Sequence, residues 1–244
     1  MEFYQSISAY YDYIFPLNQA QLAFIGRFIQ GDNLKLLDVG CSTGSLAIEL
    51  ARNGSQVWAF DFDDEMVSLA EQKKISLGLI EFPVFSQSDM RLIEQNYPAR
   101  FFDAVTCFGN TIVHLINNEE ISLFLNGAYM VLKPGGKLLL QLLNYESILK
   151  DKPASLPLIE NEQVRFDRFY EFPGHLEWIN FITRLEVKQN GQIIENNVKL
   201  YPLTKEKLDT LLLQSGFREI QFFGSFKGEP LQKDSLPLVV SATK

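Results

Sequence analysis

Along residues 19–143, short apolar runs alternate with longer stretches in which apolar residues recur at helical spacing. Gln19–Ile29 reads as a helix ending at Gly31, Lys35–Val39 as the first strand, and Ser45–Asn53 as a helix stopped by Gly54. Gln56–Phe60 is the second strand. Asp63–Leu77 is a helix whose acidic opening suits its dipole and which Gly78 closes. Phe82–Ser86 and Ala104–Phe108 read as strands. Glu119–Leu132 is a helix ended by Lys133-Pro134-Gly135-Gly136, and Lys137–Leu143 an unbroken apolar strand. This alternation predicts a parallel sheet covered by helices on both faces.

From Asn144 the pattern changes. Val164–Phe172, Leu176–Gln189 and Ile193–Tyr201 are long, aromatic-rich and partly alternating, and Asn190-Gly191 joins the last two as a tight hairpin. Thr204–Ser215 resumes as a helix with Thr204 as N-cap and Gly216 past its end. Phe217–Phe223 and Leu238–Ala242 close the chain as strands. The expectation is one α/β domain over residues 1–244, its mostly parallel sheet seven-stranded, with a small antiparallel β insertion at residues 144–202.

Composition narrows the function. The 244 residues are 46% hydrophobic and 21% charged, as in an ordinary globular protein. A net charge of −8 argues against nucleic acid as a partner, since a phosphate backbone calls for a basic patch. The 2 cysteines, Cys41 and Cys107, lie far apart without metal spacing, which suggests a reducing compartment. Met1-Glu2-Phe3-Tyr4-Gln5 lacks the features of a signal peptide, and no apolar stretch approaches a membrane span. A cytoplasmic protein without membrane contact is expected. The 2 histidines join no cluster with metal-ligand spacing, so no metal is expected.

The chemistry concentrates in Leu36-Leu37-Asp38-Val39-Gly40-Cys41-Ser42-Thr43-Gly44-Ser45, with Asp61 at the end of the next apolar run. Glycines let backbone approach a ligand closely, and the following helix presents free N–H groups to the turn. The order Gly40-x-x-x-Gly44 differs from the dinucleotide spacing G-x-G-x-x-G. Asp38, at the strand end, would repel a pyrophosphate but receive a cationic amine. An acid such as Asp61 suits a ribose diol. These residues alone leave open an ordinary strand–helix turn of some other α/β enzyme.

The series as a whole resembles the class I S-adenosylmethionine-dependent methyltransferases. Leu36 to Ser45 is similar to their first motif, with Ser42 where glycine is commoner. Phe60-Asp61-Phe62-Asp63-Asp64-Glu65-Met66 is similar to the second, Gln87-Ser88-Asp89-Met90 to the adenine-reading loop, and Leu132-Lys133-Pro134-Gly135-Gly136-Lys137-Leu138 to the stretch before the fifth strand. The resemblance implies a Rossmann-like fold and S-adenosyl-L-methionine as cofactor. It implies cofactor contacts from Tyr4, Asp38, Gly40, Cys41, Gly44, Asp61, Phe62, Met66, Asp89, Met90 and Phe108. Within them, Asp61 would bind the ribose hydroxyls, Phe62 would pack on adenine, and Asp89 would accept from its amino group.

The loop Gly109-Asn110-Thr111-Ile112-Val113-His114-Leu115 resembles that of glycine/sarcosine and sugar-amine N-methyltransferases. By that likeness Asn110 faces the substrate or the methionine end of the cofactor, and His114 orients it or acts as base. Asn110 reads equally as a left-handed turn residue, and His114 as one satisfied by backbone groups. Phe3 to Asp12 resembles a leader that folds over the cofactor, so residues 1–30 are expected to cover it. Tyr4 and Tyr11 are then candidates for contacts to the methionine moiety, and Tyr11 joins Asn110 and His114 as an active-site candidate.

Arg165, Arg168 and Arg184 interrupt the aromatic strands of the insertion. They could grip a carboxylate or phosphate, but for at least two of them pairing with nearby acids on a solvated face is the better reading. The insertion is expected to recognise substrate or to form a homodimer interface. Transfer of a methyl to a small molecule, more readily at nitrogen than oxygen, is the expected function. Alternatives are a small-molecule O-methyltransferase, a non-catalytic S-adenosylmethionine sensor, and, least in keeping with the glycine spacing, a nicotinamide-dependent enzyme. Asp61→Ala is expected to weaken S-adenosylmethionine binding at least tenfold, about 1.4 kcal/mol. Titration calorimetry checks this, and an unchanged affinity removes Asp61 from the site.

Overall fold

The computed structural model describes residues 2–174 and 177–244, and the side chains of residues 4–174 and 177–244. The chain opens with α1 (Glu2–Ile7), a single 3-10 turn and α2 (Tyr11–Ile14), followed by α3 (Gln19–Phe28). Then come β1 (Lys35–Val39), α4 (Ser45–Arg52), β2 (Gln56–Asp61), α5 (Asp64–Ser76), β3 (Val84–Gln87), α6 (Ile93–Asn96) and β4 (Phe102–Cys107). They are followed by α7 (Asn118–Val131), β5 (Leu132–Leu143), α8 (Tyr145–Asp151) and the strands β6 (Ile159–Glu160), β7 (Val164–Glu171), β8 (Ile179–Val187) and β9 (Gln192–Leu200). The chain ends with α9 (Lys205–Gln214), β10 (Arg218–Phe223) and β11 (Pro237–Thr243).

Seven strands form one sheet in the order β10-β11-β5-β4-β1-β2-β3, with only β11 antiparallel to its neighbours β5 and β10. The central strands are sealed on both faces: Leu37, Val39, Ala104, Val105, Leu138 and Leu140 have no or almost no exposed surface. That is why the sequence shows unbroken apolar runs there rather than alternation. The insertion forms a separate antiparallel sheet, β6-β7-β8-β9, in register through Arg168↔Thr183 and Thr183↔Asn196.

Three local expectations differ. β5 begins at Leu132, so the Lys133–Gly136 stretch ends the helix yet belongs to the strand. Gly135 N–H donates to the Lys244 carbonyl and Lys244 N–H to that of Gly136, each at 3.0 Å, giving those residues strand partners. The loop between β8 and β9 is residues 188–191 rather than two residues, with Gly191 at φ 70° closing it. The expected strand over residues 176–189 begins at Ile179, and Leu176 lies outside the described residues. No helix among the described residues is long and apolar enough to cross a membrane.

The inner face of the second sheet is covered by the chain's own beginning. Ile7 and Ile14 bury themselves against Val164, Phe166 and Leu185. On its other side this segment is clasped to the main sheet. Asp12 accepts from Thr43 Oγ1 (2.6 Å), Ser45 Oγ (3.1 Å) and Lys73 Nζ (2.5 Å). The Asp12 and Lys73 side chains are partly solvent-exposed, so the pair contributes at most about 1 kcal/mol to global stability. Its effect is local. Lys73→Met is expected to shift denaturant unfolding by less than about 1 kcal/mol, while chymotrypsin cleavage at Tyr10–Phe15 accelerates severalfold. Unchanged cleavage in limited digestion rejects the clasp.

Candidate functional site

The site lies at the carboxyl ends of β1, β2 and β4, where parallel strands leave a crevice. The turn after β1 is drawn onto β2: Gly40 and Cys41 N–H both donate to the Phe60 carbonyl, at 2.9 and 3.0 Å. Gly40 sits at φ 70°, and a Cβ there would collide with the Thr111 side chain, so the turns after β1 and β4 touch only because it is glycine. Ser42 adopts φ 49°, a conformation that favours glycine, and its N–H is held by Asp61 Oδ2 at 2.8 Å. Asp61 Oδ1 accepts from Asp63 N–H at 3.0 Å.

Two cavities open from this crevice. The first, about 260 Å3, is lined by Tyr4, Gly40, Asp61, Phe62, Met66, Asp89 and Met90, all expected cofactor contacts. Phe62 stands 50% exposed at its edge, a flat apolar face without cover. The second, about 510 Å3, takes Asp38, Cys41, Phe108 and Asn110. Gly44 lines neither: it packs against Phe85 and Ala70 and so shapes the turn from behind. Tyr4, Tyr11, Gly40, Ser42, Gly109 and His114 line both cavities.

Several candidates have different surroundings from those expected. Asp89 is gripped by Arg91, whose Nη2 lies 2.5 Å from Oδ2 and whose Nε lies 3.0 Å from both oxygens. That contact holds the Asp89 carboxyl below its usual range. Asn110 is the left-handed turn residue, at φ 66°, and its amide is already engaged. Oδ1 accepts from Leu143 N–H at 2.9 Å, and Nδ2 donates to the Tyr145 hydroxyl at 3.1 Å. It therefore positions the loop.

His114 is tied to a residue 110 positions away rather than to backbone. Its Nε2 and the Tyr4 hydroxyl are hydrogen-bonded at 2.7 Å, and the rings meet edge to face. Its Nδ1 is buried without a partner. Desolvation pushes the imidazole down to about 4, so it is neutral at pH 7. Burial also raises the Tyr4 and Tyr11 hydroxyls well above their ordinary value. The Asp12–Lys73 clasp and the Tyr145 partner of Asn110 escaped sequence reasoning, because nothing local marks contacts so far apart along the chain.

A model of the family described as "Methyltransferase domain" matches residues 36–136. The chain is 29% identical over 202 residues to a glycine/sarcosine N-methyltransferase of Aphanothece halophytica, covering 82% of this chain and 72% of that one. It is 35% identical over 129 residues to a ubiquinone biosynthesis O-methyltransferase of Xanthomonas axonopodis pv. citri (strain 306); there it spans about half of each chain, 52% of this one and 51% of the relative. The fold matches that of an S-adenosylmethionine-dependent methyltransferase from Clostridium acetobutylicum ATCC 824, with a TM-score of 0.82 over 98% of both chains at 18% identity.

The residues fit S-adenosylmethionine. Asp38 is 3% exposed; its Oδ1 accepts from Thr106 Oγ1 at 2.7 Å, and its Oδ2 is buried without a partner, a ready acceptor for an ammonium. Burial pushes Asp38 up to about 6 from an ordinary value of 3.8. In the free protein its contribution to stability is therefore fully present below pH 3.8 and lost as pH rises through about 6. The loss amounts to roughly 3 kcal/mol. Asp38→Asn is expected to abolish this decline in denaturant unfolding measured from pH 4 to 7; a variant that tracks the wild type shows that Asp38 does not titrate there. The matched domain, the strand order and the donors Asp38 and Asp61 beside an open Gly40 turn lead to one reading: residues 36–136 form a methyltransferase domain, in a chain with the fold of the S-adenosylmethionine-dependent methyltransferases.

Proposed function

We propose that the chain transfers a methyl group from S-adenosylmethionine to a small-molecule acceptor, and that the atom methylated is nitrogen. One observation carries this reading. The two cavities share a wall made of Tyr4, Tyr11, Gly40, Ser42, Gly109 and His114, so an acceptor in the larger one abuts whatever fills the smaller. S-adenosylmethionine supplies a sulfonium methyl already activated for displacement, which leaves alignment as the main task of the protein.

The shared wall favours an acceptor that needs little help losing a proton. His114 is neutral and too weakly basic at about 4 to take a proton readily near pH 7, and Tyr4 and Tyr11 keep theirs. These groups orient by hydrogen bonding. An amine that has shed its proton to water attacks without a base, whereas an alcohol requires one. An oxygen acceptor is the second reading, supported by the likeness to the ubiquinone biosynthesis O-methyltransferase.

Methyl-labelled S-adenosylmethionine incubated with amines, amino acids, amino sugars and phenols tests the proposal. Label in amines is expected. Label in phenols alone replaces nitrogen with oxygen, and tight cofactor binding without transfer points to a sensor. Tyr4→Phe, which deletes the hydroxyl on His114 Nε2, is expected to lower kcat about tenfold, the weight of one positioning hydrogen bond. Cofactor affinity should change less than threefold; an unchanged kcat detaches the Tyr4–His114 pair from the reaction.

A further inference from the structure

The three arginines of the insertion separate cleanly by face. Arg165 pairs with Asp167 at 3.1 Å, and Arg184 lies 3.7 and 3.8 Å from Glu186 and Glu195. Strand alternation puts Arg168 on the opposite face, in step with the buried Phe166 and Tyr170. There it lines the larger cavity and makes no ion pair among the described residues. Its Nη2 donates to the Pro157 carbonyl at 2.6 Å, but its Nε is buried without a partner. The residue directly across the strand pair is Thr183, fully buried, and its hydroxyl also has no partner.

The charge balance of the cavity sharpens the point. Arg168 is the only Lys or Arg among the described residues that line it. Of the two acids there, Asp12 pairs with Lys73 and Asp38 accepts from Thr106, and neither pairs with Arg168. Phe166, Phe181, Leu156 and Leu200 share the wall with Arg168, so water screens its charge poorly. A guanidinium left unpaired in such surroundings is costly, and it disfavours its own charged form. An anion meeting its planar fork recovers that cost.

We infer that Arg168 anchors a carboxylate or phosphate group of the methyl acceptor, so that the acceptor is an anionic small molecule. The inference rests on the methyltransferase reading of the shared wall. It assigns two lining regions of one cavity to two groups of the acceptor: the anion at Arg168, the nucleophile at the wall that holds His114. A cavity of about 510 Å3 suits a ligand of that size.

The test uses the full chain loaded with S-adenosylhomocysteine, titrated at constant ionic strength with acetate in one series and inorganic phosphate in another, and followed by NMR shifts. Saturable binding of one anion is expected in the wild type, and which one binds names the group. Arg168→Gln should weaken it at least tenfold while S-adenosylhomocysteine affinity in calorimetry stays the same. Arg168→Lys, which keeps the charge without the fork, should fall between and guards against a misfolded Gln variant. In turnover assays with a free amino acid and its amide, or an amino alcohol and its phosphate ester, Arg168→Gln should raise KM for the anionic member more than it lowers kcat. Absence of saturable binding of either anion by the wild type, or equal binding by the Gln variant, overturns the inference. Failure of the wild type to bind S-adenosylhomocysteine overturns the methyltransferase reading instead.

Discussion

The architecture of the site depends on one close approach: the turn after β1 lying against both β2 and the turn after β4. Two successive N–H groups, of Gly40 and Cys41, share the Phe60 carbonyl, and no Cβ could stand between Gly40 and Thr111. The approach brings Asp38, Asp61 and the Gly109–Thr111 loop to one point although they come from three different strands. It also sets the boundary between the cavities, since Gly40 and Gly109 belong to both walls. A bulkier residue at Gly40 would therefore misalign two binding regions together.

Electrostatically the crevice is prepared for a cation. Asp38 and Asp61 are both raised by burial, and the Asp61 charge raises Asp38 further. Asp61 is partly satisfied by the N–H groups of Ser42 and Asp63, whereas Asp38 keeps one bare oxygen. The cost of burying that oxygen is carried by the free protein and relieved by an ammonium-bearing ligand. Stability surrendered by the empty site thus returns as affinity when the site fills.

How much of this was legible in the sequence follows from the range of each signal. The parallel frame and the turn chemistry are local, and the residues from Leu36 to Ser45 declare them through apolar runs, an acid at a strand end and spaced glycines. The sequence suggested that at least two of Arg165, Arg168 and Arg184 pair with acids on a solvated face, but only the paired register reveals that Arg168 is the one on the other face. Partners remote in sequence left no mark: Tyr4 with His114, Asp12 with Lys73, Leu143 N–H with Asn110. The early start of β5 was hidden too, because Pro134 and two glycines look like an interruption until the residues near Lys244 supply their hydrogen bonds.

The segment holding Tyr4, Tyr11 and Asp12 is fastened on two sides at once, by Ile7 and Ile14 to the second sheet and by Asp12 to the turn and to α5. One short stretch is consequently the roof of the smaller cavity, a wall of the larger one and the hydrogen-bond partner of His114. Traffic through the two compartments is thereby geared together. A ligand that must pass beneath this stretch can leave only when the stretch lifts, and lifting it dismantles the surroundings of His114 in the same motion. Both cavities and the hydrogen-bond partner of His114 therefore respond together to any displacement of these few residues.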